Sequence, residues 1–348
     1  MKTITKGIVA AAIAVGASGT VASAQDKTFN ISPNTALTFY GFIRAEAFYD
    51  LDFEQGDLSL TSELDTRTAT DGSFDTSVRT TRFGFRLASE TDIGTIGGQL
   101  EYDLFGSGGT AELRLRHANI SVAGFTIGQT WTNFMPIGHY PTSLDFNGPV
   151  GVTFARVPQV RYASTAGNLD YSFSLEQSPG TSNDPVLTAA TQYNGENYSV
   201  RIAGLAGTLE NKANDVNRSA VTLSGNFKPW QGGSFGATYV NGEGIGDYLI
   251  GGGSSIVGGE ANGTEGYTLE FRQDLGEKWN VGIAYGNEQY DAAGARDISE
   301  LETIHVSAIY KPVDNIAIGF EYITGERTSG TGTTLEADRI GTSVTFRF

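Results

Sequence analysis

Apolar and polar residues alternate with a period of two through most of the chain, in segments of about ten residues. One segment has apolar side chains at Leu169, Tyr171, Phe173 and Leu175. Polar side chains fill the positions between them, at Asp170, Ser172, Ser174 and Glu176. About sixteen such segments can be counted, so the pattern predicts an all-β protein with many antiparallel strands.

Two segments depart from this pattern. The stretch 187–193 is poorly patterned. In 113–122 the phase is ambiguous, because Ile120 and Val122 share a parity with Arg114 and Arg116. We predict strands in both places.

The connections between segments alternate between short and long. Short ones carry turn residues, as in Asn194, Gly195 and Glu196. Long ones are polar and glycine-rich, and they are expected near 52–78, 105–112, 132–155, 178–186, 207–218, 242–265, 287–301 and 325–336. This rhythm is typical of an up-and-down barrel with short turns at one rim and long loops at the other.

Residues 1–24 are predicted to be a secretory signal peptide. Lys2 and Lys6 precede a short apolar stretch, and Ala22, Ser23 and Ala24 form a small-residue cleavage site. The apolar stretch is shorter than the roughly 20 residues of a membrane-spanning helix. Residues 25–348 show no linker or shift in composition, so we interpret them as a single barrel domain.

The amino-acid composition excludes several functional classes of protein. The net charge of −16 argues against nucleic acid as a partner, because nucleic-acid binders carry basic faces. The chain has no Cys, which excludes a disulfide scaffold. An exported chain with 46 Gly, 20 Phe and 15 Tyr is therefore either a soluble β protein or a membrane barrel.

Three features favour the membrane barrel. A single sheet of about sixteen strands has no second layer to cover it unless it closes. Aromatic residues cluster at strand ends, where a membrane girdle would lie: Phe39, Tyr49, Trp279, Tyr310, Tyr322 and Phe346. The sequence also places Phe348 at the end of the last predicted strand. We therefore predict a bacterial outer-membrane barrel in contact with outer-membrane lipid and lipopolysaccharide.

A block of about 50 residues resembles the DcaP-like family of trimeric outer-membrane porins. It runs from Leu113 through Gly128, Gln129, Thr130 and Trp131 to Tyr162. This resemblance implies a 16-stranded antiparallel up-and-down transmembrane β-barrel with short periplasmic turns and long extracellular loops. It also implies a homotrimer, a third loop folded into the pore, and a preference for small anions such as dicarboxylates.

Strand parity supplies candidate pore-lining residues. Six arginines from the first six strands fall on the polar face: Arg44, Arg82, Arg86, Arg114, Arg116 and Arg161. Such a wall would attract anions and orient carboxylates by its fork geometry. The alternative is ordinary solvation of a polar lumen. The net negative charge points toward cations, but charges beyond a Debye length of about 8 Å are largely screened.

The segment 132–155 is the candidate constriction loop. It contains Asp145 as its clear acid and a turn signal at Asn147 and Gly148. A folded-in loop would place Asp145 opposite the arginines, whereas the plain alternative is an exposed loop tip.

No cofactor, metal site or catalytic group is predicted. The acidic run that begins at Asp50 has Gln55 where an EF-hand loop requires Gly and Thr61 where it requires Glu, which leaves loose divalent-cation binding at the outer rim or a solvated loop. Three histidines occur, with no G-x-S-x-G motif beside them. The alternatives to an anion-preferring porin are a non-selective or cation-preferring porin, an outer-membrane barrel enzyme, and a secreted β-rich adhesin.

Overall fold

The structure is a computed structural model that describes residues 27–180, 182, 184–211 and 215–348. The predicted signal peptide lies outside the described residues. The strands are β1 (Lys27–Ser32), β2 (Thr35–Asp50), β3 (Ser73–Ser77), β4 (Arg82–Thr91), β5 (Gly94–Asp103), β6 (Arg114–Val122), β7 (Phe125–Trp131), β8 (Arg156–Ala166), β9 (Leu169–Gln177), β10 (Pro185–Asn194), β11 (Tyr198–Leu209), β12 (Val216–Phe227), β13 (Gly233–Glu243), β14 (Ile256–Val257), β15 (Glu260–Ala261), β16 (Gly263–Leu275), β17 (Trp279–Tyr290), β18 (Ile298–Val313), β19 (Ile316–Ser329) and β20 (Thr334–Arg347).

These strands form a closed antiparallel barrel with sixteen strand positions around its wall. The segments β3 and β4 together fill one position, because both pair with the same edge of β2. Each position pairs with the next along the chain, and β20 closes the barrel by pairing with both β19 and β2. Strand β1 extends β20 along the other edge of β2, and β14 with β15 is a separate hairpin. The predicted fold class is therefore confirmed.

The barrel is apolar outside and polar inside. On neighbouring positions of β9, Phe173 is 58% exposed and Ser174 is 4% exposed. On β12, Leu223 is 49% exposed and Thr222 is 2% exposed. A water-soluble protein would hide the apolar set and expose the polar one. The outer surface is therefore suited to hydrocarbon, as the alternation predicted. Within the described residues, no helix is both long and apolar enough to cross a membrane.

A β-bulge explains the ambiguous phase of β6. In the ladder with β5, Tyr102 pairs with Leu115, whereas Glu101 pairs with His117. Arg116 is the extra residue, and a bulge of this kind shifts the parity of everything after it. Leu115 and Ile120 consequently both face outward although their positions differ in parity.

Turns and loops divide between the two rims. Every turn at one rim spans two to five residues, from 33–34 to 314–315. The other rim carries eight loops, of which loop 1 (51–72), loop 3 (132–155) and loop 6 (244–262) are the longest. Several loops are shorter than predicted, because strands such as β18 and β19 continue beyond their clearly alternating part.

Loops 3 and 6 pack against the inside of the barrel wall. Phe134 of loop 3 and Tyr248 of loop 6 form an apolar cluster with Val186, Ala190 and Ala203 of the wall. This cluster explains the weak pattern of 187–193. The inner face of β10 carries the apolar Val186 and Ala190 beside the polar Thr188, because part of that face meets folded-in loops rather than water.

Candidate functional site

Loop 3 enters the lumen and follows its inner wall. Near its start, the backbone amide of Asn133 donates to Glu176 on β9 at 2.7 Å. The His139 ring then lies 2.7 Å from the Ser199 hydroxyl and 2.8 Å from the Ser224 hydroxyl. Loop 3 is therefore held by inward-facing polar side chains of β9, β11 and β12.

The tip of loop 3 is anchored to β19. The carboxylate of Glu321 accepts hydrogen bonds from the Ser143 hydroxyl at 3.0 Å, from the Leu144 amide at 3.1 Å and from the Asp145 amide at 2.8 Å. From β2, the Arg44 guanidinium donates to the Leu144 carbonyl. These contacts connect the loop to strands that are remote in sequence.

Glycines on the wall make room for the loop. A Cβ atom built on Gly286 would lie 2.2 Å from the Val150 carbonyl oxygen, and one on Gly319 would lie 2.0 Å from a Leu144 methyl carbon. Gly151 has a φ of +83°, a conformation that side chains rarely adopt. The loop therefore reaches the wall only because these positions have no side chain.

Asp145 and Asn147 join loop 3 to loop 1. The Asp145 carboxylate accepts hydrogen bonds from the amides of Ser59 at 3.1 Å and Gly148 at 3.0 Å. Burial raises the pKa of Asp145. The Asn147 side chain donates to the Ser59 carbonyl at 2.9 Å. Asp145 is 8% exposed, so these backbone contacts take up its carboxylate at the junction between the two loops.

Four of the predicted arginines lie on β4 and β6, and we call Arg82, Arg86, Arg114 and Arg116 the basic wall. Two carboxylates on β5 pair with it. Arg116 lies 2.8 Å from both Glu101 and Asp103, and Arg114 lies 2.6 Å from Asp103. Glu101 and Asp103 were not among the predicted site residues. Their inward parity was the available signal.

The rest of the basic wall is more open. The Nε of Arg82 lies 3.6 Å from Glu101, and the guanidinium of Arg86 lies 3.9 Å from the centre of the Tyr40 ring. Arg116 is 1% exposed, whereas Arg82 is half-buried and Arg86 is exposed. A passing ion can therefore approach Arg82 and Arg86, and also Arg114, whose side chain is 35% exposed but is paired with Asp103.

Two further inward arginines lie at the root of loop 3. Arg161 on β8 donates to the Trp131 carbonyl, and Arg201 on β11 donates to the Asn133 carbonyl. Arg201 was not among the predicted site residues, although its position on an alternating strand places it on the inner face. Neither arginine has a carboxylate oxygen within ion-pair distance among the described residues.

No group of three or more His, Cys, Asp or Glu side chains in the described part of the chain could hold a metal ion. Each of the three histidines instead lies within hydrogen-bonding distance of a serine or threonine hydroxyl. Ser143 and Glu321 both approach the same nitrogen of His305, at 3.2 Å and 3.7 Å. A catalytic triad would require the two partners on opposite ring nitrogens.

A closed sixteen-stranded barrel with an apolar exterior, a polar lumen and an inward third loop defines the class of outer-membrane porins and channels. The particular family follows from the sequence. A family profile described as DcaP outer membrane protein matches residues 9–224, and the chain belongs to that family. Both the predicted family and the predicted location in the bacterial outer membrane are confirmed.

Solved structures agree on the fold. The outer membrane channel DcaP of Acinetobacter baumannii is 24% identical, with 92% of this chain and 99% of that chain covered and a TM-score of 0.83. The trimer form of OmpT from Vibrio cholerae is 16% identical, with 90% and 100% covered and a TM-score of 0.65. An anion-selective porin from Comamonas acidovorans is 14% identical, with 90% and 100% covered and a TM-score of 0.64. Comparison with curated protein sequences gives no match.

Proposed function

We propose that this porin is a passive diffusion channel for small hydrophilic solutes and that it favours small anions, dicarboxylates among them. The observation that carries the proposal is the setting of Arg161 and Arg201. Both donate to backbone carbonyls, which satisfy a hydrogen bond without cancelling a unit charge. Their positive charge therefore remains available to a solute in the lumen.

Part of the negative charge of the chain is paired or remote, whereas Glu176, Glu288 and Glu321 face inward and accept hydrogen bonds from loop 3. In the lumen, Glu101 and Asp103 are already paired with Arg114 and Arg116. Many other carboxylates lie in loop 1 or on the outer face of the barrel, for example Asp71 and Glu326. Charges farther away than a Debye length, about 8 Å at physiological salt, contribute little to the energy of an ion in the lumen.

Reversal potentials in a KCl gradient test the selectivity. The purified protein in a planar bilayer should give a potential of the sign expected for chloride permeation. The printed description of the Comamonas acidovorans porin as anion-selective supports this expectation by likeness of fold. A clear cation preference would instead support the alternative that the net charge suggests.

We also propose a homotrimer embedded among outer-membrane lipid and lipopolysaccharide, with no enzymatic activity. The trimer form of OmpT from Vibrio cholerae supports the assembly, since the barrels share their fold. Light scattering of the detergent-solubilised protein should give a protein mass about three times that of one 37.0 kDa chain. A mass near one chain would contradict the trimer.

A further inference from the structure

A cavity of about 530 Å³ lies between loop 3 and the rim of short turns. Residues 142–144 of loop 3 border it on one side, and the turns near Trp230 and Asp314 border it at the rim. We call it the turn-side cavity. It is separate from the basic wall, since none of the four arginines of that wall lines it.

Arg44 and Arg347 both line this cavity. In the ladder between β2 and β20, Arg44 pairs with Thr345, so Arg347 is its diagonal neighbour on the same inner face. Such diagonal neighbours lie roughly 7–8 Å apart. Two guanidinium groups that extend from such neighbouring positions into one cavity repel each other, and an anion between them would stabilise this arrangement.

Both guanidinium groups have hydrogen-bonding capacity that the protein does not use. The Nε atoms of Arg44 and Arg347 are buried and have no hydrogen-bond partner. Arg44 reaches Glu46 at 3.0 Å with a different nitrogen, and Arg347 forms no ion pair with a described residue. A buried cationic donor without an acceptor is costly, and the charge of an anion in the adjoining cavity would offset part of that cost.

The remaining charges of the cavity favour an anion over a cation. Five basic residues line it, namely Arg44, Arg272, Arg347, Lys228 and Lys311, against three acidic residues, namely Glu270, Asp274 and Asp314. Glu270 lies 3.7 Å from Arg272, and Asp274 accepts a hydrogen bond from Asn280 at 2.7 Å. Two of the three carboxylates are therefore already engaged with neighbouring side chains.

We propose that the turn-side cavity is a binding station for small carboxylate anions, held between Arg44 and Arg347 on the periplasmic side of loop 3. This inference rests on the proposed passage of anions and adds a second site to it. An anion that has passed loop 3 would be held here before release. Occupancy from the periplasmic side does not require passage through the constriction, so block of the channel by a carboxylate should depend on the side of addition.

The test uses oriented channels in a planar bilayer with symmetric KCl and succinate added to one side at a time. Succinate should block the wild-type channel at lower concentration from the periplasmic side. Arg347→Gln should raise the blocking concentration from that side by about tenfold, which corresponds to one lost charged hydrogen bond. Arg347→Lys should restore part of the effect, and Arg67→Gln in loop 1 should have none.

A second measurement follows the fluorescence of Trp230 with Arg44 and Arg347 both in place. Trp230 lines the cavity, so iodide should quench its fluorescence more strongly than neutral acrylamide does, and succinate should compete with iodide. Trp230→Phe identifies the responding signal. The proposed binding site would be refuted if succinate blocked the channel at the same concentration from both sides. It would also be refuted if iodide quenched Trp230 and succinate did not reduce that quenching. If either of these results came with an anion-selective reversal potential, the binding site would be refuted and the proposed anion preference would stand. A cation-selective reversal potential would refute the proposed anion preference.

Discussion

The backbone amide of Asp145 donates a hydrogen bond to the Glu321 carboxylate at 2.8 Å, although 176 positions separate the two residues. This contact fixes the tip of loop 3 to the opposite side of the barrel. Glu321 accepts from the Ser143 hydroxyl and the Leu144 amide as well, so a single carboxylate satisfies three donors of the loop. One side chain of β19 therefore helps to set how far loop 3 extends across the pore.

Replacing Glu321 by Ala should loosen the loop. The substitution leaves buried donors without an acceptor, which costs about 1–3 kcal/mol for a group of this kind. We expect a noisier and larger single-channel conductance. Glu326→Ala on the outward face of the same strand is the control, and it should leave the current unchanged. An unaltered current in Glu321→Ala would contradict the anchoring role.

Replacing Gly286 by Val should displace loop 3 by steric conflict. A Cβ atom at this position would lie 2.2 Å from the Val150 carbonyl oxygen, so the backbone of the loop must move. We expect a raised conductance with retained heat-modifiable migration of the folded barrel in gels. Gly98→Ala is the control, because its new Cβ atom would be 3.6 Å from the nearest atom, an ordinary contact.

Replacing Arg82 and Arg86 together by Gln should reduce the preference for anions. A unit charge about 8 Å from an ion in water contributes roughly 0.5 kcal/mol, a factor of about two in permeability per charge. The reversal potential in a KCl gradient measures the shift. Arg116 is retained in this variant, because removing it together with Arg82 would leave the buried Glu101 without an arginine partner. An unchanged potential would show that solutes pass elsewhere.

Acidification should loosen the root of loop 3. Burial, with a contribution from Arg201, lowers the pKa of His139 from 6.5 to about 4. Between these values the unfolded chain binds more protons than the folded one, so stability falls as the pH falls from 6.5 toward about 4. We expect hydrogen exchange near residue 139, corrected for the intrinsic rate, to rise over this range. In His139→Gln the rise should be absent, and an equal rise would refute the assignment.

Replacing Leu223 by Arg should destabilise the barrel in lipid. Leu223 faces outward at mid-strand on β12, and an arginine at the bilayer midplane costs about 2–4 kcal/mol. Urea titration of the protein folded into lipid vesicles measures this free energy. Leu223→Ala separates the loss of apolar surface from the cost of charge. Similar stability of the Arg and Ala variants would place this face away from hydrocarbon.

Much of the wall could be predicted from the sequence, because each side chain on a strand points opposite to its neighbours. The alternation of Leu223 with Thr222 and Ser224 was enough to separate the two faces. It failed at β6, where a bulge at Arg116 shifts the parity, and a bulge cannot be located without knowing the partner strand. It was weak at β10, where Val186 and Ala190 of the inner face pack against folded-in loops.

By itself, the sequence determined the barrel, the division of its faces, the family and the inward parity of the arginines, since these follow from local alternation and motifs. Only the tertiary structure decided which of those charges a solute would meet. The pairing of Arg116 with Glu101 and Asp103 depends on strand register. The course of loop 3 depends on Gly286, Gly319 and Glu321, more than 100 positions away, which barrel closure brings to the loop.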